Sequence, residues 1–372
     1  MATIVHLANF YGPRSGGLRT SVRALARGYV AAGHEAHVIV PSSRRRTLTE
    51  DGVTTHEIPA CYLPRSGGYR VILRRPPVID LVSSLNPDRV ELSDRTTLLP
   101  VADWARAQGV PSIMIAHERV DGVISSFAPG LPARRIADWL NAGAADRVDH
   151  IVCTTAFAAE EFDRIGRATL RVPLGVDLDS FHPSRRSARW RSRVGGGPIA
   201  LLCSRLSREK RPDFVLDIAR QAIAAGVRLT VVVAGSGPRE RVMARHADRL
   251  GVRLLGFVAD RRHMATVLAS ADVLLAPGPI ETFGLSALES LASGTPVVAN
   301  RSSAVGEIID GASGSTASLD PAAWLVAIDA LTSRPRSEAA RDARRRAEQF
   351  PWSRSVDRML GVHRLATVPV AG

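Results

Sequence analysis

Apolar and polar positions alternate in blocks along the first forty residues. TIVHLA reads as a strand, YGPRSGG as a loop, Leu18 to Ala32 as a helical pattern, and HEAHVIVP as a second strand. Strand, helix and strand at this pitch predict a βαβ unit with a parallel sheet. PSIMIAH and HIVCTT continue the series as strands, with helical stretches such as VADWARAQG between them. This half of the chain is expected to form a doubly wound sheet. The pattern breaks near residues 179–197, where prolines, arginines and a triple glycine read as a linker with a short helix. It then restarts with PIALLCSRL, a helix near Pro212 to Ala225, RLTVVVAG, VRLLGFV, DVLLAPGP and PVVAN. The expected fold class is α/β, with two doubly wound domains over residues 1–186 and 187–350. A last helical pattern, residues 351–372, is assigned back to the first domain. Open sheets of this kind present ligand groups beyond the carboxyl ends of their strands, which puts the expected site there.

Composition narrows this picture. Hydrophobic residues make up 45% of the 372 positions, enough for two cores, while aromatics at 5% leave packing to Ala, Val, Leu and Ile. Cys61, Cys153 and Cys203 have no metal-like spacing and read as reduced residues of a cytosolic protein. The first residues lack a signal-peptide pattern, and no apolar run reaches the ~18 residues of a membrane span. The expected location is the cytoplasm, or the inner face of the cell membrane as a peripheral protein. A net charge of +13 could signal nucleic acid, an anionic membrane or a phosphorylated substrate. The basic clusters at Arg44 to Arg46 and at Arg65, Arg70, Arg74 and Arg75 carry no aromatic interleaving and no helix-turn-helix or zinc-finger pattern. Nucleic acid is therefore not an expected partner.

Chemistry concentrates in two stretches. ETFGLSALE carries Glu281 into a loop after a strand, turns at Gly284, and places Glu289 on the following helix. The amides of Phe283, Gly284 and Leu285 are expected to point outward at that helix start and to favour an anionic group. The two carboxylates, eight positions apart, lie up to roughly 12 Å from each other on a helix and so suit opposite ends of an elongated ligand. In SRLSREKRP, Arg205 follows a strand and Lys210 stands five residues on, the only lysine among 49 basic residues. A guanidinium fork and a compact ammonium converging on one spot suit a diphosphate, although a structural Lys–Glu pair is also open. Asp177-Leu178-Asp179 has a D-x-D form, and its place after PLGV reads as a turn or cap in preference to a metal site. YGPRSGG is not G-x-G-x-x-G and no acidic residue ends the second strand, so NAD binding lacks its fingerprint.

R-x4-K after a strand, with E-x7-E about seventy residues on, resembles the retaining glycosyltransferases of family 4, which have the GT-B fold of two Rossmann-like domains facing a central cleft. The resemblance extends to Gly16 and Gly17, His117 at a strand end, PLGVD, AGSGP and GFV, and so covers nearly the whole chain. It implies that Arg205 and Lys210 bind the diphosphate of a nucleotide-sugar donor, helped by amides around Gly16 and Gly17. Glu289 would hold the ribose, Glu281 and the Phe283 to Leu285 backbone the transferred sugar, and Gly256, Phe257 and Val258 the base, with His117 near the reacting carbon. No metal and no dedicated nucleophile are expected. The family often has Asp after this histidine, whereas Glu118 stands here and receives no role. GDP-mannose is the expected donor, by resemblance to bacterial α-mannosyltransferases, with UDP-glucose or another UDP-sugar as the alternative. The expected acceptor is a lipid or glycan, and the arginine clusters would meet an anionic membrane at ~1 kcal/mol per charge. A nucleotide-sugar epimerase and a non-catalytic nucleotide-sugar binding protein would carry the same donor cradle.

Overall fold

The computed structural model describes residues 1–12, 16–63 and 68–365. They fall into two compact units, Met1–Leu174 with the C-terminal residues from Trp352, and Gly175–Pro351.

In the first unit the sheet strands are β1 (Thr3–Leu7), β2 (Glu35–Ser42), β3 (Arg46–Glu50), β4 (Val53–Pro59), β7 (Arg89–Leu92), β8 (Ser112–Ala116), β9 (His150–Cys153) and β10 (Leu170–Arg171). The two-residue strands β5 (Cys61–Tyr62) and β6 (Arg70–Val71) pair with each other apart from it. The order is β10-β9-β8-β7-β1-β2-β4-β3, parallel throughout except for the edge strand β3. Helices cover both faces, which is why the buried positions of β1 are apolar except for His6. Ile4 and Ala8 pack toward helices Gly17–Ala31 and Trp352–His363, whereas Val5 and Leu7 join the core on the opposite face. At Gly28 the first of these helices comes so close to the second that a Cβ would sit 2.1 Å from Val356. Glycine at that point permits the C-terminal helix to dock. Arg44 and Arg45 are exposed beside β3, whose five residues are all exposed, and ion pairs Arg23–Glu50 and Arg27–Asp51 tie this edge to helix Gly17–Ala31. Arg74 and Arg75 are exposed as well, while Arg65 lies outside the described residues.

The second unit has β11 (Ile199–Cys203), β12 (Thr230–Ala234), β13 (Arg253–Gly256), β14 (Val273–Ala276), β15 (Val297–Asn300) and β16 (Gly314–Ala317), all parallel in the order β13-β12-β11-β14-β15-β16. Its core joins alternate strand residues such as Leu202, Val233 and Leu275 to Phe214 and Trp324 from the covering helices. The division between the units precedes the expected boundary at 186/187. Residues 175–186 hydrogen-bond within the second unit: Val176 to Phe350, Phe181 to Arg344, and Arg186 to Ala269, Ala271 and Asp272. These bonds make the first half of the expected linker part of a folded unit.

In each sheet the strand order reverses once, between β1 and β7 in the first unit and between β11 and β14 in the second. Loops leaving the two central strands there diverge, which opens a crevice at the carboxyl edge.

Candidate active site

In the second unit, Arg205 and Lys210 leave β11, and Glu281 lies in the loop after β14, on the two sides of the reversal. Lys210 Nζ is 2.5 Å from Glu281 Oε2, with both side chains partly exposed. Burial alone would raise the Glu281 carboxyl. The Lys210 charge and the amides of Phe283 and Gly284, which donate to the carboxylate, outweigh it and hold Glu281 below the usual range. Two of the three amides expected to await an anionic ligand are thus already directed at Glu281. Arg205 is braced differently, by Glu209 at 3.3 Å and Ser207 at 3.4 Å, and Ser207 in turn hydrogen-bonds Glu209.

Close backbone approaches set these loops. A Cβ at Gly235 would meet the Ser204 carbonyl oxygen at 1.9 Å, and one at Gly237 would meet the Leu206 backbone at 2.6 Å. AGSGP therefore supports the backbone on either side of Arg205. A Cβ at Gly278 would likewise meet the Glu209 carbonyl oxygen at 3.1 Å and the Lys210 Cα at 3.2 Å. Gly284, at φ +93° and with its Cβ position 2.7 Å from Val305, makes the turn into helix Leu285–Ala292 that no other residue makes without strain. At the end of β15 the Asn300 side chain donates to the Pro277 carbonyl, and beyond that strand the Ala304 amide donates to the Glu281 carbonyl.

Glu289 lies on helix Leu285–Ala292 with Arg261 at 3.9 Å. Burial pushes its carboxyl up to about 7, against the opposing charge of Arg261 and with the like charge of Asp177. Arg261 also reaches Asp177 and lies 4.7 Å above the Phe181 ring. Asp177 accepts the Ser180 amide at 2.9 Å, the turn expected of it. Gly256 ends edge strand β13 at φ +68°, Phe257 is exposed and Val258 partly buried. Asp260 then caps helix Arg261–Ser270 through the amides of Arg262 and His263.

The first unit places His117 directly after β8 and Gly16 at the N-cap of helix Gly17–Ala31, where a Cβ would meet nothing within 4 Å. His117 Nε2 is 2.9 Å from Ser93 Oγ. Burial, with the charges of His6 and Arg95, pulls His117 down to about 3, so the ring is neutral at physiological pH. The loop beyond it is held by Arg95, which donates to the Glu118 carbonyl and pairs with Glu161, while Glu161 accepts the amides of Val120 and Asp121.

The bracing residues Ser207, Glu209 and Arg261 were not among the expected site residues, nor were His6, Glu91 and Ser93. A signal existed for Glu209, whose i,i+4 spacing from Arg205 is that of a helical ion pair. Arg261 is brought to Glu289 only by the fold.

Two Rossmann-like sheets in one chain, each reversing once, are the architecture of GT-B glycosyltransferases. Residues 16–175 match the family described as Glycosyl transferase 4-like domain, and residues 197–334 match Glycosyl transferases group 1. Over 361 residues, 96% of this chain and 94% of the relative, the chain is 48% identical to a GDP-mannose-dependent alpha-(1-6)-phosphatidylinositol dimannoside mannosyltransferase of Mycobacterium tuberculosis. It is 29% identical to a GDP-mannose-dependent alpha-mannosyltransferase of Mycolicibacterium smegmatis, over 79% of this chain and 78% of that one. The fold is similar to that of a sucrose-phosphate synthase from Thermosynechococcus elongatus, with a TM-score of 0.79, 18% identity and 98% of both chains covered. It is also similar to Anabaena HepE in complex with UDP and glucose, with a TM-score of 0.76, 16% identity, and 97% and 99% covered. The chain belongs to the group 1, family 4-like glycosyltransferases and is a hexosyltransferase.

Proposed function

We propose that the chain transfers α-mannosyl from GDP-mannose to a mannosylated phosphatidylinositol, with retention of configuration. The observation that carries this reading is the 48% identity, spread over 96% of the chain, to an enzyme named for that donor and that acceptor class.

Arg205 and Lys210 meet the donor diphosphate, with the backbone at Gly16 and Gly17 assisting. Lys210 exchanges part of its pairing with Glu281 for phosphate oxygens, and Glu281 and the Phe283 to Leu285 backbone hold the transferred sugar. Glu289 takes the ribose hydroxyls and Gly256 to Val258 the base, with Arg261 between these two groups of contacts. His117 lies against the sugar. The C1–O bond to the β-phosphate breaks and the acceptor oxygen bonds C1 on the same face. The acceptor's proton passes to the leaving diphosphate, whose growing charge Arg205 and Lys210 stabilise; one preorganised donor of this kind contributes ~2.7 to 4 kcal/mol.

The acceptor is a lipid, and among the described residues no helix is long and apolar enough to cross a membrane. We assign membrane contact to exposed Arg44 and Arg45 with Arg46 on β3, and to Arg74 and Arg75. Calorimetric titration with GDP-mannose, UDP-glucose, UDP-GlcNAc and ADP-glucose tests the donor, with Lys210→Ala as control. Tight binding of GDP-mannose that the variant loses is expected. Preference for a UDP-sugar removes the mannosyl assignment, and equal binding by the variant removes the diphosphate role of Lys210.

A further inference from the structure

The chain that follows the His117 loop forms a helical hairpin with an exposed apolar surface. Helices Val120–Phe127 and Ala133–Ala145 are joined by a tight turn, in which the Leu131 amide donates to the Ala128 carbonyl and the Ala133 amide to that of Leu131. The second helix packs inward through Ala133, Ala137, Asn141 and Ala144. At 3.6 residues per turn, Arg135 and Trp139 fall on its opposite face, four positions apart. That face of a surface helix is ordinarily polar. Here Trp139 is 74% exposed, and Phe127 and Leu131 at the turn are 55% and 54% exposed. Tryptophan is on average highly buried, so an indole standing outward beside two further apolar side chains points to a surface that is covered in use.

The charges around this surface have one free sign. Arg134 and Arg135 are exposed, and neither forms an ion pair among the described residues. The carboxylates of the hairpin are taken up by arginines: Asp121 pairs with Arg119 and Arg164, Asp138 with Arg164, and Asp146 with Arg167. Topology places the turn. The hairpin leaves β8 at the carboxyl edge of the sheet and enters β9 at the amino edge, and the 13 residues of its second helix span ~20 Å. Residues 127–132 therefore lie toward the carboxyl edge, as Arg44 and Arg45 do after β2.

We propose that this hairpin is a membrane wedge, whose Trp139, Phe127 and Leu131 enter the interfacial layer of an anionic bilayer while Arg134 and Arg135 meet lipid phosphates. An indole suits that layer because its ring is apolar and its N–H stays hydrated, and unpaired guanidinium groups match phosphate oxygens. A second copy of the chain fits less well, since a two-fold contact of this patch with itself would bring Arg134 and Arg135 against their own copies. The inference rests on the lipid acceptor of the proposed function. It adds apolar insertion to the electrostatic contact at the β3 edge, within one short helix of the His117 loop.

The test uses the full chain, without donor, on vesicles of phosphatidylglycerol and phosphatidylcholine with and without brominated acyl chains. Trp139 is the exposed one of the five tryptophans, so it dominates any change on binding. Its emission is expected to move to shorter wavelength and to be quenched by the brominated lipid, and Trp139→Phe is expected to bind with the quenching lost. Trp139→Ser combined with Leu131→Ser should keep the wild-type melting temperature and weaken vesicle binding roughly tenfold or more, and that loss should persist at about 300 mM salt, where charge contacts are screened. Unquenched Trp139 on vesicles that hold the protein, or no binding to these vesicles, overturns the wedge. Dimerisation that Trp139→Ser abolishes, without quenching, overturns it in favour of a second copy. These vesicles contain no phosphatidylinositol, so a mistaken acceptor leaves the quenching intact and shows instead as absent turnover with dimannosylated phosphatidylinositol.

Discussion

Lys210 is the only lysine in the chain, and its ammonium reaches Glu281 at 2.5 Å in a loop where a Cβ added at Gly278 would stand 3.2 Å from the Lys210 Cα. A guanidinium needs more width than this loop provides, so Lys210→Arg is expected to keep the wild-type melting temperature while turnover falls roughly 100-fold. Near-normal turnover would make the lysine incidental. Glu289 provides a pH dependence. Its folded-state value, raised to about 7, means that ionising it costs stability. The stabilising neutral form is complete below the ordinary carboxylate range and is lost as pH rises through about 7. The carboxylate is the better acceptor for two ribose hydroxyls, so donor affinity should increase between about pH 6 and about pH 8. Glu289→Gln should bind weakly with a flat profile over that range. A wild-type profile in the variant would exclude Glu289 as its origin.

At the scale of elements, Gly28 and Val356 form a contact that can be tested. Gly28→Ala places a Cβ 2.1 Å from Val356 and is expected to destabilise the protein by about 1 to 3 kcal/mol, less what alanine gains in helix propensity. Val356→Ala should recover most of the loss in a double-mutant cycle read by chemical denaturation, and additive losses would refute the contact. The sequence made the central strands legible because both of their faces are covered, so they read as unbroken apolar runs. β7 is the instructive omission. Its sequence RVEL carries Arg89 and Glu91 in four residues, a composition that argues against a strand buried on both faces. The carboxylate that hides the strand lies 2.6 Å from His6 Nδ1, and only the fold supplies Tyr29 and His363 as its other partners. β3 was hidden for the opposite reason, since an edge strand with all five residues exposed has no buried face to write a pattern. The pairing of Lys210 with Glu281 was one of the readings that residue type left open. Arg261 beside Glu289 was not, because the two are brought together by helices that follow different strands.

For the molecule as a whole, its charge of +13 and exposed arginines beside β3 predict binding to vesicles containing phosphatidylinositol that weakens as salt rises from about 50 to about 300 mM. Absence of binding at low salt would remove the membrane assignment. Turnover is expected to be unchanged by EDTA, because the diphosphate charge is assigned to Arg205 and Lys210; loss restored by a divalent cation would reassign that role. The return of helix Trp352–His363 to the first unit bears on how the chain is made. Every residue of Gly175–Pro351 leaves the ribosome before the segment that completes the first unit. The second unit is continuous in sequence and can fold as soon as it emerges. The first unit, although synthesised earlier, waits with Gly28 uncovered and Glu91 lacking its His363 donor. Released chains truncated just short of Trp352 should therefore resist protease across the later half and remain cleavable in the earlier one.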